Sequence, residues 1–132
     1  MAAPKLRPQV TEHNGEGESS CKALGQILER VGDKWTIMIV GILASEGTTR
    51  FNALQRAIPG LSHKMLTTTL RGLERDGLVK RTAFATIPPR VDYELTPQGL
   101  SLQAPLLALA DWASSQQAFI ESARDIFDNR ST

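Results

Sequence analysis

The chain has 132 residues, with 15 Lys+Arg against 14 Asp+Glu and a formal net charge of +1. That length supports one domain with its own core, and 41% hydrophobic with 22% charged residues is a globular balance that excludes disorder of the whole chain. The near-zero charge lacks the simplest mark of a nucleic-acid binder, a strongly basic total, and a single cysteine excludes an internal disulfide and a cysteine zinc cage.

Residues 1–20 contain Pro4, Pro8, Gly15 and Gly17 and almost nothing apolar. They read as a flexible arm without the apolar stretch of a signal peptide, leaving 21–132 as the folded unit. From Cys21, Leu24, Ile27, Leu28 and Val31 recur at helical spacing and predict a first helix ending near Gly32. Asp33 is positioned to cap a second helix, Trp35 to Ser45, apolar on nearly every side and therefore central. This longest apolar run, Trp35 to Ala44, is too short to span a bilayer, so a soluble cytoplasmic protein without membrane contact is expected.

A short helix, Phe51 to Ile58, is closed by Pro59-Gly60. Ser62 is an N-cap for the next helix, which Asp76-Gly77 stops. The period then switches to two from Leu78 to Phe84, and Val91 to Leu95 is a second strand, with Ile87-Pro88-Pro89-Arg90 an exposed turn between them. Thr96 caps the final helix and Pro97 takes its first position. That helix continues past Trp112, with Pro105 kinking it or dividing it in two. The expected fold is mainly α with a small β-hairpin wing: a winged helix-turn-helix with terminal dimerisation helices.

The helix 62–75 carries the informative face. At about 100° per residue, Met65, Leu66, Thr69, Leu70 and Leu73 fall on one side. Lys64, Thr67, Thr68, Arg71 and Arg75 fall on the other, with Ser62 and His63 at the helix start. Cations and hydroxyls without an acid suit phosphates and base edges, although a solvated polar face that binds nothing has the same pattern. Charge segregation favours the nucleic-acid reading. Residues 47–95 carry +4, with Arg50, Lys80, Arg81 and Arg90 in or beside the wing, whereas residues 1–46 carry −1 and 96–132 carry −2. Arg90, following two prolines, is the candidate wing-tip contact; a surface ion pair to Asp92 or Glu94 is the competing assignment.

Several segments carry a family resemblance: Cys21, Gly32-Asp33-Lys34-Trp35-Thr36, Arg50-Phe51-Asn52-Ala53-Leu54, Ile58-Pro59-Gly60-Leu61-Ser62, Leu73-Glu74-Arg75-Asp76-Gly77-Leu78-Val79, Pro88-Pro89-Arg90-Val91-Asp92-Tyr93-Glu94-Leu95-Thr96 and Leu107-Ala108-Leu109-Ala110-Asp111-Trp112. From Cys21 to about Ala113 the chain resembles the HxlR-type winged-helix transcription regulators, relatives of the MarR-like repressors. The resemblance implies a bacterial homodimer that binds double-stranded operator DNA, with helix 62–75 in the major groove and wing 80–92 on the backbone or minor groove.

The end helices carry more apolar surface than a small winged domain needs. Leu24, Ile27 and Leu28 in the first helix and Leu109, Trp112, Phe119, Ile120, Ile126 and Phe127 in the last are the expected dimer contacts, bringing two recognition helices to a near-palindromic site. Cys21, at the expected helix start, would lie near unpaired N–H groups that make cysteines reactive. Since some relatives sense oxidants, quinones or aldehydes through a cysteine near this position, Cys21 is a candidate redox sensor. A small buried apolar residue is the alternative, and an effector bound between core and dimer helices is a further one. No enzyme is expected: Cys21 and His63 lie on separate elements and make no nucleophile–base pair. No metal site or cofactor is expected either. A winged helix that binds protein instead of DNA is the remaining rival.

Overall fold

The computed structural model describes residues 14–130. Nine elements follow in order among them: α1 (Asn14–Val31), α2 (Lys34–Glu46), β1 (Thr49–Arg50), α3 (Phe51–Ala57), α4 (His63–Arg75), β2 (Val79–Phe84), β3 (Arg90–Leu95), α5 (Pro97–Ser101) and α6 (Gln103–Arg130). Most boundaries follow from local chemistry. The Asp33 carboxylate accepts from the N–H groups of Trp35 and Thr36 at 3.2 and 3.3 Å, opening α2. Ser62 Oγ accepts from Met65 N–H at 3.1 Å and opens α4. Thr96 Oγ1 accepts from Gly99 N–H at 3.1 Å, with Pro97 in the first turn of α5.

The apolar α2 is the centre of the core, as its all-round hydrophobicity requires. Its Ile39, Val40 and Leu43 are buried with Leu54 of α3, Leu66, Leu70 and Leu73 of α4, Val79, Tyr93 and Leu95 of the sheet and Leu106 of α6. Gly77 ends α4 at φ +77°, where a side chain would be strained. The chain then turns straight into β2, and Thr96 Oγ1 donates to Gly77 O at 2.6 Å, pinning the far end of the hairpin to this turn. A Cβ on Gly99 would run into the Leu78 carbonyl, so α5 packs here only because residue 99 has no side chain.

Two expectations change and a third is resolved. The first helix begins at Asn14, inside the segment read as an arm; no proline lies between Pro8 and Val31, so a helix nucleated on the apolar repeat propagates backwards past Cys21. Residues 1–13 of that arm lie outside the described residues. The wing is a three-stranded antiparallel sheet in the order β1-β3-β2, because Thr49 and Arg50 pair with Tyr93 and Asp92. The final helix is two helices, α5 and α6, with the break at Leu102 and Pro105 in the first turn of α6. This is one of the two arrangements expected of that proline.

Candidate nucleic-acid interface

Helix α4 buries Leu66, Leu70, Gly72 and Leu73 and exposes His63, Lys64, Thr68, Arg71 and Arg75, with its cap Ser62 exposed as well. Thr67 is half-buried and donates its hydroxyl to His63 O at 2.9 Å, so that proton is used within the helix. Met65, expected on the core face, is exposed at the border of the apolar arc, where it lines a cleft toward α1 and α2.

The polar stripe inferred from the helical wheel divides into two rows. His63, Thr67 and Arg71 line a cleft of about 900 Å³ whose other walls are Arg50, Phe51, Arg81, Tyr93 and wing residues 86–91. Lys64, Thr68 and Arg75 line a second cleft of about 770 Å³, toward Arg30, Asp33 and Trp35. The helical wheel gives the angular position of each residue; the neighbouring elements decide which cleft it enters.

The first cleft is electropositive, with Arg50, Arg71, Arg81 and Arg90 against the single acid Glu74. Its parts are held in place locally. The His63 ring packs on Phe51 at 4.9 Å between centroids, and Phe51 in turn lies 6.4 Å from the Tyr93 ring. Arg50 is placed by the pairing of β1 with β3, across from Asp92 on the sheet face opposite Arg81, and lines the cleft from the edge strand. Arg81 pairs across from Tyr93 and shares the sheet face of the buried Val79–Leu95 pair, which turns it toward α4. Lys80 pairs across from Glu94 on the opposite face, away from the cleft.

Arg90 is not at the wing tip. It forms the last strand pair with Phe84. Its guanidinium lies 4.3 Å from the centroid of that ring, and its Nε is 3.2 Å from Asp92 Oδ1, without hydrogen-bond alignment. The competing ion-pair assignment is therefore the one observed. The tip is Ala85-Thr86-Ile87-Pro88-Pro89 and carries no charge, because the two prolines lengthen the loop and β3 resumes only at residue 90.

Cys21 is exposed, as a sensor requires, but sits about two turns inside α1 and not at a helix start. The unpaired N–H groups invoked for its reactivity are therefore absent from its surroundings. Leu24, Ile27, Leu28, Leu109, Trp112, Phe119, Ile126 and Phe127 are all exposed, and Ile120 is half-buried. Among the described residues, no His, Cys, Asp and Glu side chains gather in threes that could hold a metal, and no helix is long and apolar enough to cross a membrane. Sequence reasoning misses β1, the Phe51–His63 contact and an ion pair from Arg30 Nε to Asp76 Oδ2 at 2.8 Å. None of these has a local signal, since each joins segments distant in the chain.

A helix-turn-helix whose second helix stands exposed beside a β-wing defines a winged helix-turn-helix protein. Residues 30–121 match the family model described as HxlR-like helix-turn-helix, and the chain belongs to that family. It is similar to the HTH-type transcriptional regulator YtfH of Escherichia coli strain K12, 39% identical over 125 residues that cover 95% of this chain and 97% of the relative. Among solved structures it resembles the ytfH regulator of Salmonella typhimurium, at TM-score 0.70 and 35% identity over 77% of this chain and 90% of that one. It also resembles the redox regulator HypR in its reduced form, at TM-score 0.67 and 34% identity over 76% of this chain and 98% of that one. The chain is thus a helix-turn-helix transcriptional regulator of the HxlR family, not an enzyme.

Proposed function

We propose that the protein is a cytoplasmic homodimer that binds a near-palindromic operator. Helix α4 enters the major groove, the sugar–phosphate strand beside it lies in the cleft between α4 and the wing, and the wing covers the adjacent minor groove. The observation that carries this reading is the set Arg50, Arg71 and Arg81, drawn from three elements and lining one cleft beside the exposed face of α4. Ser62, His63, Thr67 and Arg71 are the groove-reading candidates, and Lys64, Thr68 and Arg75 flank them. Lys80 and Arg90 have acidic neighbours that reduce their part, and Arg50 shares Asp92 as its cross-strand partner.

The dimer reading is supported by α6, a 28-residue helix about 42 Å long of which only Leu106 is buried. Trp112 is exposed and Phe119 is 71% exposed along it, and Leu24 and Leu28 of α1 are exposed as well. A second copy supplies the same apolar stripes and sets the two α4 helices about 34–36 Å apart. Thiol modification of Cys21 is the favoured switch: the side chain is exposed on the helix that carries Leu24 and Leu28, and similarity to a redox regulator supports it. A small-molecule effector is the second reading, favoured by the cleft between α1, α2 and α4, whose volume of about 770 Å³ suits a small organic ligand.

Selection of bound duplexes from a random pool, before and after thiol oxidation, tests the whole reading. An enriched inverted repeat that is released on oxidation is expected. Absence of enrichment contradicts DNA binding, and release that persists in Cys21→Ser contradicts the thiol switch.

A further inference from the structure

We propose that the wing contacts DNA through an apolar tip, with the Ile87 side chain seated in the minor groove, and that this contact gives a preference for A·T pairs at the flanks of the site. The inference rests on the DNA-binding reading above and adds how the wing reads.

Three observations carry it. Ile87 is 100% exposed at the tip of the hairpin. The tip is a shaped turn, in which the Thr86 hydroxyl donates to Pro88 O at 2.8 Å and the two prolines offer no N–H. It lines the same cleft as Arg50, Arg71 and His63, so the tip and the exposed face of α4 address one object. A phosphate strand drawn into that cleft by its arginines has the major groove on the α4 side and the minor groove on the wing side.

Charge then decides what the tip can touch. The nearest cation, Arg90, lies over Phe84 and against Asp92 on the sheet face opposite Arg81. Residues 85–89 carry no charged side chain; they present apolar groups, one hydroxyl, carbonyls and the N–H groups of residues 85–87. Such a tip makes no ion pair with phosphate, and its apolar groups gain by covering sugar faces and the floor of the groove. A·T pairs leave that floor without the guanine amino group, which blocks close approach and loses its hydration under an apolar side chain.

The test uses the full chain and a duplex it selects from a random pool. The flanking A·T pairs are replaced by G·C or by inosine·C, which has the minor-groove face of A·T and the major-groove face of G·C. For the wild-type protein, inosine·C binds like A·T and G·C binds about tenfold more weakly. Ile87→Ala lowers affinity for the selected duplex about fivefold, flattens the flank preference and leaves the salt dependence unchanged. Ile87→Asp binds more weakly still, and thermal unfolding of both variants matches wild type because the side chain is fully exposed. Arg90→Ala keeps the preference. The proposal is overturned if both Ile87 variants keep wild-type affinity and preference on a duplex the wild type selects, or if Arg90→Ala and not Ile87→Ala abolishes the preference. Failure of the wild type to enrich any duplex overturns the DNA-binding reading and this proposal with it.

Discussion

The guanidinium of Arg30 in α1 spans to the C-terminal cap of α4, where its Nε lies 2.8 Å from Asp76 Oδ2. It reaches there by lying on the backbone of Gly72, where any Cβ would collide with it. The missing side chain on α4 is thus the seat of a contact that ties α1 to α4. Arg30→Ala and Asp76→Ala should each cost about 0.5–1 kcal/mol in denaturant unfolding, and less together than their sum. In a Gly72→Ala background the guanidinium is pushed aside and that coupling should vanish, while the better helix propensity of Ala keeps overall stability within about 1 kcal/mol of wild type. Coupling that survives Gly72→Ala would show that the pair does not need this seat.

Thr36 is 0% exposed, and among the described residues its hydroxyl has no hydrogen-bond partner. Valine has nearly the same shape without the polar atom. Thr36→Val should therefore stabilise the domain by about 1 kcal/mol, raising its thermal midpoint by several degrees. A lowered midpoint would mean that the hydroxyl is engaged.

The exposed apolar stripe of α6 predicts association. Trp112→Glu and Phe119→Glu should shift sedimentation from dimer to monomer at micromolar concentration and keep the helical signal, since neither side chain is in the core. Operator affinity should fall with the dimer, because the half-sites are then bound singly. Variants that remain dimeric would contradict this interface.

Much of this architecture is legible in local sequence, for a definite reason. Asp33, Ser62 and the Thr96-Pro97 pair act on N–H groups within three residues of themselves, so the starts of α2, α4 and α5 can be read directly. The apolar repeats of α2 and α4 likewise name most of the core. What stays hidden depends on segments far apart. Thr49–Arg50 is a strand only because Tyr93–Asp92 lies beside it. Lys64 and Arg71 are neighbours on a helical wheel, yet they enter different clefts, because α1 and α2 flank one side of α4 and the wing flanks the other. Local sequence puts Cys21 at a helix start because the apolar repeat begins only at Leu24, and Gly15, Gly17 and their polar neighbours read as an arm, whereas α1 begins at Asn14. It puts Arg90 at the tip because proline spacing does not fix where β3 resumes. The segregation of positive charge into residues 47–95 has a direct structural counterpart: Arg50, Arg71 and Arg81 meet in one cleft.

The redox reading concerns an exposed thiol on α1. With Cys21→Ser, a thiol oxidant should no longer release the protein from its selected duplex, and affinity before oxidation should equal that of wild type. Since Cys21 lines neither cleft beside α4, a large fall in affinity before oxidation would instead indicate a structural role.

If the cleft between α4 and the wing holds the phosphate strand, the salt dependence of affinity for the selected duplex reports it most directly. Arg71→Ala and Arg81→Ala should each weaken binding and reduce the slope of log K against log salt by about 0.9, the increment expected when one fewer phosphate is neutralised. Arg90→Ala, whose cation faces Asp92 and Phe84 in the wild type, should leave the slope unchanged. Unchanged slopes in both cleft variants, or a change confined to Arg90→Ala, would show that the phosphate strand does not lie in this cleft.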